Sequence, residues 1–351
     1  MIRIGVNALY LIPGGVGGTE IYLRNLLGAL AGIDSENQYV VFTNRETGAD
    51  LVPAQPNFVR APQPVWAAFR PARVLWEQFA LPAVVRQHQL NVLFNPGFTA
   101  PVLCGCPMVT VFHDLQHKEH PEYFRWFDLP FWRLLLWASA RQSRGLIAVS
   151  HATADDLERY YHRSPQVIHH GVEPQFFEIA RCRQPKDYLL CVSTTHPHKN
   201  LERLLRVHSQ MPNAPRLVLT GVRGFAAKQI EKFAGDSVEL AGWIPREQLY
   251  DLYRGALGFI YPSTFEGFGM PVLEAMAAGV PVACSDIAPL REVAGSSVRY
   301  FDPVSESQIH DALVKLASGA IPTEDAAQRA GEFTWEKTAR DTLDYLSKSS
   351  S

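Results

Sequence analysis

The amino-acid sequence predicts an α/β protein made of two doubly wound parallel sheets. Three observations carry that reading. The 351 residues suggest two domains at roughly 100–200 residues each. Short β-branched or aliphatic runs alternate with helical patterns along the chain, as βαβ units with a sheet covered on both faces require. The alternation pauses once, at Gly171–Pro185, where Gly171, Pro174 and Pro185 leave no clear periodicity and mark a linker.

In the first half, Ile2–Val6, Tyr39–Phe42, Val92–Phe94, Met108–Phe112 and Gly145–Val149 read as strands bounded by turn residues. Thr19–Leu30 and Phe131–Arg144 read as helices. The second half offers strands at Tyr188–Val192, Arg216–Thr220, Ser237–Leu240, Gly258–Tyr261 and Pro281–Cys284. Its helices fall at Leu201–Ser209, Arg246–Gly255 and Pro271–Ala278. The tail, Phe333–Ser347, is a helix pattern with Trp335, Leu343 and Leu346 on one side, able to cross back to the first half. The expected domains are therefore 1–172, joined by 333–351, and 173–332.

Composition narrows the function classes. Hydrophobic residues make up 47% and charged residues 19%, which excludes a largely disordered chain. With 33 Lys+Arg against 35 Asp+Glu, the chain lacks the basic excess of a non-specific nucleic-acid binder. No segment reaches the roughly 18 apolar residues of a membrane span. Leu129–Ala140 comes nearest, and it is short and carries Arg133. The N-terminus runs straight into a strand pattern rather than a signal peptide, so a cytoplasmic location is expected. Cys104 and Cys106 are too close for a good disulfide or a standard zinc site, and the five cysteines read as free thiols. In Tyr123–Arg144, aromatics interleave with arginines. That pattern fits a core helix with one wet face, or a helix lying peripherally in the interface of the cytoplasmic membrane.

Open α/β sheets bind ligands outside the carboxyl ends of their strands, which directs attention to four segments. Gly14, Gly15, Gly17 and Gly18 follow the first strand; they allow close backbone approach, ahead of a helix N-terminus that favours anions. The loop is neither a good dinucleotide fingerprint nor a P-loop. His113-Asp114 ends a strand, where the His can donate a hydrogen bond to a sugar hydroxyl or a developing charge. Ser193-Thr194-Thr195-His196-Pro197-His198-Lys199-Asn200 offers hydroxyl donors and a Lys for a phosphate, or simply a solvated Lys and an Asn cap. The fourth, Glu266-Gly267-Phe268-Gly269-Met270-Pro271-Val272-Leu273-Glu274, sets two carboxylates around a Gly-Phe-Gly-Met-Pro turn. Glu274, one turn into a helix of small residues, can accept two hydrogen bonds from a vicinal diol; Glu266 can do so for a hexose. A carboxylate buried there needs paired donors.

These residues resemble a retaining glycosyltransferase of family 4 over nearly the whole chain. The E-x7-E element, Glu266 to Glu274, is the most specific match. Ala148-Val149-Ser150, His169-His170-Gly171-Val172, Ala241-Gly242-Trp243 and Gly279-Val280-Pro281-Val282 support it. The resemblance implies the GT-B fold, two Rossmann-like doubly wound domains facing a cleft. The first would bind the acceptor and the second a nucleotide-sugar donor. It implies that Glu274 binds ribose, Lys199 neutralises the diphosphate, Glu266 and the Gly267–Gly269 backbone hold the hexose, and His113 touches the sugar. Gly15 and Gly17, Ser193, Thr194, His198, Arg223, Phe268, Met270, Pro271 and Val272 complete the implied donor site. His198 stands where the family often has Arg, and Ser193 where it usually has Gly. Arg223 or a protonated His198 is expected to replace the missing charge.

The resemblance further implies transfer without a metal. Lys199 and oriented N–H groups would stabilise the leaving diphosphate, in keeping with the lack of an Asp-x-Asp cluster near a strand end. Glu266 as a covalent nucleophile is the alternative. The segments Gly5–Ala8, Phe112–Gln116 and His120–Phe124 resemble members that move mannose in O-antigen and exopolysaccharide assembly. GDP-mannose is the expected donor, a UDP-sugar the alternative, and a glycan or lipid-linked saccharide the acceptor. Three competing classes are a sugar-nucleotide 2-epimerase, a nicotinamide-linked oxidoreductase and a non-catalytic sugar-nucleotide-binding protein.

Overall fold

Strands buried on both faces must be apolar throughout, and the strands of the chain largely are. The computed structural model describes residues 1–15 and 17–350 and divides into two compact units. The first comprises Met1–Gly171 with the C-terminal segment from Trp335; the second is Val172–Thr334. Val16, within the glycine-rich segment, lies outside the described residues.

In the first unit, β1 (Arg3–Ala8), β2 (Gln38–Thr43), β3 (Phe58–Pro62), β4 (Val92–Asn95), β5 (Met108–Phe112), β6 (Gly145–Ala148) and β7 (Gln166–Val167) form a parallel sheet. Its order is β3-β2-β1-β4-β5-β6-β7. The register places Ile4 opposite both Tyr39 of β2 and Val92 of β4. The helix Gly18–Ile33 buries Tyr22, Leu23, Leu26, Leu27 and Leu30, the i, i+3/i+4 stripe of an amphipathic helix. That stripe packs against the C-terminal helix Trp335–Ser349, which also meets β4 and β5.

The second unit repeats the plan with β8 (Tyr188–Val192), β9 (Arg216–Thr220), β10 (Val238–Gly242), β11 (Gly258–Tyr261), β12 (Val282–Ser285) and β13 (Arg299–Phe301), all parallel. The order is β10-β9-β8-β11-β12-β13. One face is sealed by Leu201, Leu204 and Leu205 of the helix Leu201–Ser209, with Ile309, Leu313 and Leu316 of the helix Glu306–Ala317.

The strand order of each sheet reverses once, between β1 and β4 and between β8 and β11. Such a reversal splays the following loops apart and leaves a crevice at the carboxyl ends of the strands. One expectation is corrected. The stretch taken as a linker contains the helix Pro174–Arg181, which buries Phe176 and Ile179. Pro174 sits at the helix start, where its missing N–H costs nothing, so it begins structure rather than breaking it.

Candidate functional site

In the second unit, the reversal brings together the loops after β8 and β11. Lys199 ends a 3-10 turn, Pro197–Lys199. Its Nζ donates to Glu266 Oε1 at 2.6 Å and to the Tyr261 hydroxyl at 3.2 Å. The loops are also tied by backbone, since Thr264 N donates to the His198 carbonyl at 2.8 Å. The Asn200 side chain does not cap the following helix. Its Nδ2 donates to the carbonyls of Pro262 and Pro303, at 3.1 and 2.7 Å, pinning three loops together. Burial works to raise the Glu266 pKa. The charges of Lys199 and His198, with hydrogen bonds from Lys199 and Ser263, outweigh it and hold the carboxyl below its ordinary value.

Glu274 lies on the helix Met270–Ala277 and is only 6% exposed. Its Oε1 accepts from Arg246 Nη2 at 2.8 Å and its Oε2 from the Tyr253 hydroxyl at 3.0 Å. Arg246 is shared with Glu173 at 2.6 Å. Burial raises the Glu274 pKa, and the charge of Glu173 adds to that; Arg246 and Tyr253 oppose it. A carboxylate offers about four acceptor positions, so each oxygen keeps capacity for a further donor such as a sugar hydroxyl. Sequence reasoning missed Arg246, Tyr253 and Glu173. They lie on other elements, and no spacing relative to Glu274 announces them.

Between the two glutamates the chain turns sharply. Gly269 has φ 105°, and a Cβ there would meet Leu290 Cδ2 at 2.3 Å. Phe268 is buried against Phe333, ring centroids 6.0 Å apart, and Val272 is fully buried. These side chains anchor the turn, and Pro271 occupies the first turn of the helix. Ser193 and Thr194 are half-buried, with Ser193 Oγ donating to the Thr194 carbonyl at 3.1 Å. Arg223 is exposed and paired with Glu231. The His198 ring stacks on His196 at 5.8 Å, and its charge reaches Glu266. Of the two groups expected to replace the missing Arg, His198 is thus the one coupled to the Lys199–Glu266 pair.

In the first unit, His113 follows β5 and is 8% exposed. Its Nε2 lies 2.8 Å from the Pro96 carbonyl. A carbonyl only accepts, so Nε2 carries the proton and Nδ1 is left as an acceptor. Burial pushes the His113 pKa down to about 4, against the lesser pull of that carbonyl, so the ring stays neutral. The expectation that His113 donates to a ligand is therefore altered: its donor is engaged, and what it offers is a lone pair. The glycine segment opens the helix Gly18–Ile33 through Gly17, at φ 61° and ψ −128°, a combination that only glycine adopts readily. Gly15 N donates to the Ile12 carbonyl at 2.8 Å, and Gly14 N to Glu20 Oε2 at 2.8 Å.

Comparison with known proteins agrees with this organisation. Residues 16–176 match the model of Glycosyltransferase Family 4, and residues 173–333 that of Glycosyl transferases group 1. Among relatives, O-antigen chain mannosyltransferase B of Escherichia coli is 28% identical over 74% of this chain and 74% of its own length. The MMP alpha-(1->4)-mannosyltransferase of Mycolicibacterium hassiacum is 26% identical over 82% of this chain and 75% of its own. Sucrose-phosphate synthase from Thermosynechococcus elongatus superposes with a TM-score of 0.80 at 19% identity, over 99% of each chain. Anabaena HepE, solved with UDP and glucose, gives 0.76 at 17% identity over 99% of this chain and 100% of its own. These structural likenesses carry the fold, which is GT-B. With two family models tiling residues 16–333, the chain belongs to the family 4 glycosyltransferases.

Proposed function

We propose that the protein is a retaining hexosyltransferase that moves mannose from GDP-mannose to a glycan or lipid-linked saccharide, without a metal. The observation that carries this reading is the Lys199–Glu266 pair, two residues 67 positions apart that meet at 2.6 Å beside the β8/β11 crevice. Lys199 faces the diphosphate and Glu266 the hexose, while Glu274 accepts from the ribose hydroxyls. Ser193, Thr194, His198 and the backbone of Gly267–Val272 surround the donor. His113 accepts a hydrogen bond from the sugar through Nδ1. The C1–O bond to the phosphate breaks, the acceptor oxygen bonds to C1 on the same face, and the acceptor proton passes to the leaving phosphate. Lys199 offsets the charge that develops there. The mannosyltransferase relatives favour mannose as the sugar.

Transfer is measured with purified protein and a panel of GDP- and UDP-sugars in the presence of a chelator. GDP-mannose is expected to give product with the donor's anomeric configuration. Turnover with UDP-sugars alone overturns the donor assignment. Inversion overturns retention, and loss in chelator restored by a divalent cation overturns metal independence.

The acceptor reading includes peripheral membrane contact through 123–144. Trp126, Phe127, Phe131, Leu134 and Trp137 are exposed there, and Arg70 stacks over Trp132 at 4.7 Å. Segments 60–87 and 118–144 carry nine Lys and Arg against four Asp and Glu, in a chain of net charge −2. That combination suits an anionic bilayer interface. Phosphatidylglycerol vesicles are expected to float the protein, and a Trp126→Ser/Phe131→Ser variant to remain below. Failure of wild-type protein to float removes the membrane from the proposal.

A further inference from the structure

We infer that Glu77 is a positioning residue for sugar transfer, acting through Thr99 on the loop 96–99 that sets the state of His113. The inference rests on the proposed contact between His113 and the sugar.

Glu77 lies in a π-helical turn, Trp76–Ala80, inserted between the helices Arg70–Leu75 and Leu81–Gln87. Such single turns recur at functional sites because they rotate one residue out of the helical register. Glu77 is 1% exposed, and burial raises its pKa against Arg73, Thr99 and Asn7. Its Oε2 accepts from Thr99 Oγ1 at 3.0 Å and from Arg73 Nη1 at 3.4 Å. Gln78, the next residue, holds the same stretch of chain. Its Nε2 donates to the Ala100 carbonyl at 3.0 Å and its Oε1 accepts from Val102 N at 2.8 Å. A buried carboxylate and an amide on one widened turn thus clamp the chain that leaves β4.

The clamped loop carries the strain. Phe98 has φ 68°, a conformation rare outside glycine and asparagine, which persists only where the surroundings dictate it. Its ring meets His113 edge-on at 5.2 Å. Two residues earlier, the Pro96 carbonyl accepts a hydrogen bond from His113 Nε2. Between them, Gly97 lies under the Tyr10 ring, where a Cβ would come within 2.3 Å. The Tyr10 hydroxyl in turn donates to the Thr19 carbonyl at 3.2 Å, at the start of the helix behind the glycine segment. The loop 96–99 is therefore the common brace of two sequence-identified segments, and Thr99–Glu77 is its buried anchor. Without that anchor Phe98 relaxes, the Pro96 carbonyl moves, and His113 loses the contact that leaves Nδ1 as the acceptor.

The experiment compares Thr99→Val, which removes the hydroxyl, with Thr99→Ser, which keeps it, alongside Glu77→Gln and His113→Ala. Steady-state kinetics and 15N shifts of the His113 imidazole are both recorded. Thr99→Val is expected to lower kcat about 10- to 100-fold, the scale of a small misplacement of a reacting group. Donor KM should stay within about 2-fold, since the loss falls on the transition state. His113 should change from one tautomer to a mixture, and Thr99→Ser should restore both readouts. Wild-type kcat and a single tautomer in Thr99→Val overturn the inference, whether or not Glu77→Gln folds. Unimpaired turnover in His113→Ala overturns the sugar contact instead, a different failure.

Discussion

Glu266 and Glu274 are eight positions apart in sequence, yet their environments push them in opposite directions. Glu266 is held ionised by Lys199 and His198, so its folded pKa lies below the ordinary 4.5. The stability it contributes is fully present above about pH 4.5 and is lost as pH falls through the depressed folded value. Glu266→Gln should therefore flatten the acid limb of a Tm-against-pH curve below pH 4.5; an unchanged limb refutes the coupling. Glu274 is raised, because burial and Glu173 outweigh Arg246. Its ionisation costs stability, and that cost grows as pH rises from 4.5 through the folded pKa and then levels off. Glu274→Gln leaves Arg246 paired with Glu173, so at pH 8 its Tm should hold or rise by about 2–4 °C. Donor affinity should nonetheless fall about 10-fold or more, as expected when charged acceptors for hydroxyls are lost. Thermal melts with and without GDP-mannose read both effects, and a lower Tm with unchanged affinity contradicts both. The two glutamates and Lys199 were legible because a turn of glycines and a strand end placed them. Arg246, Tyr253, Glu173 and Glu77 were not, since each acquires its meaning from a partner on another element.

At the scale of elements, the legible segments were those with long apolar periods. The strands at Met108–Phe112, Tyr188–Val192, Arg216–Thr220 and Gly258–Tyr261 fall where their aliphatic runs predict. β7, with two residues, and β13, with three, are too short to show alternation, and β3 carries a Pro at its edge position. The helix Pro174–Arg181 was hidden because Pro174 at its start and Pro185 beyond its end read as breakers. The turn before Glu274 depends on one residue. Gly269→Ala would force a Cβ into Leu290 and hold alanine at φ 105°. The expected loss is about 1–3 kcal/mol of stability, measured by urea unfolding, with weaker donor binding because the Gly267–Gly269 backbone must shift. Stability and affinity both equal to wild type would mean that the turn can be rebuilt without glycine.

At the scale of the molecule, chain order and compact units do not coincide. The first unit takes its last helix from residues beyond the second, so its core is complete only once Trp335–Ser349 has been made. Trp335 and Leu346 are buried, and Tyr345 packs so closely on Gly145 that a Cβ there would meet its hydroxyl at 2.8 Å. Thr338 Oγ1 also donates to the His169 carbonyl at 2.8 Å. The helix belongs to the first unit. Truncation after Thr334 should therefore act on one unit alone. Amides of Gly18–Ile33 and β4 should lose hydrogen-exchange protection, because the apolar stripe they cover becomes wet. Amides of β8, β9 and β11 should keep theirs and still gain protection on adding GDP-mannose, since that unit carries Lys199, Glu266 and Glu274 of the proposed donor site. Equal loss of protection in both units would show that the sheets unfold as one body. No loss in the first would show that the helix contributes nothing to the core it covers.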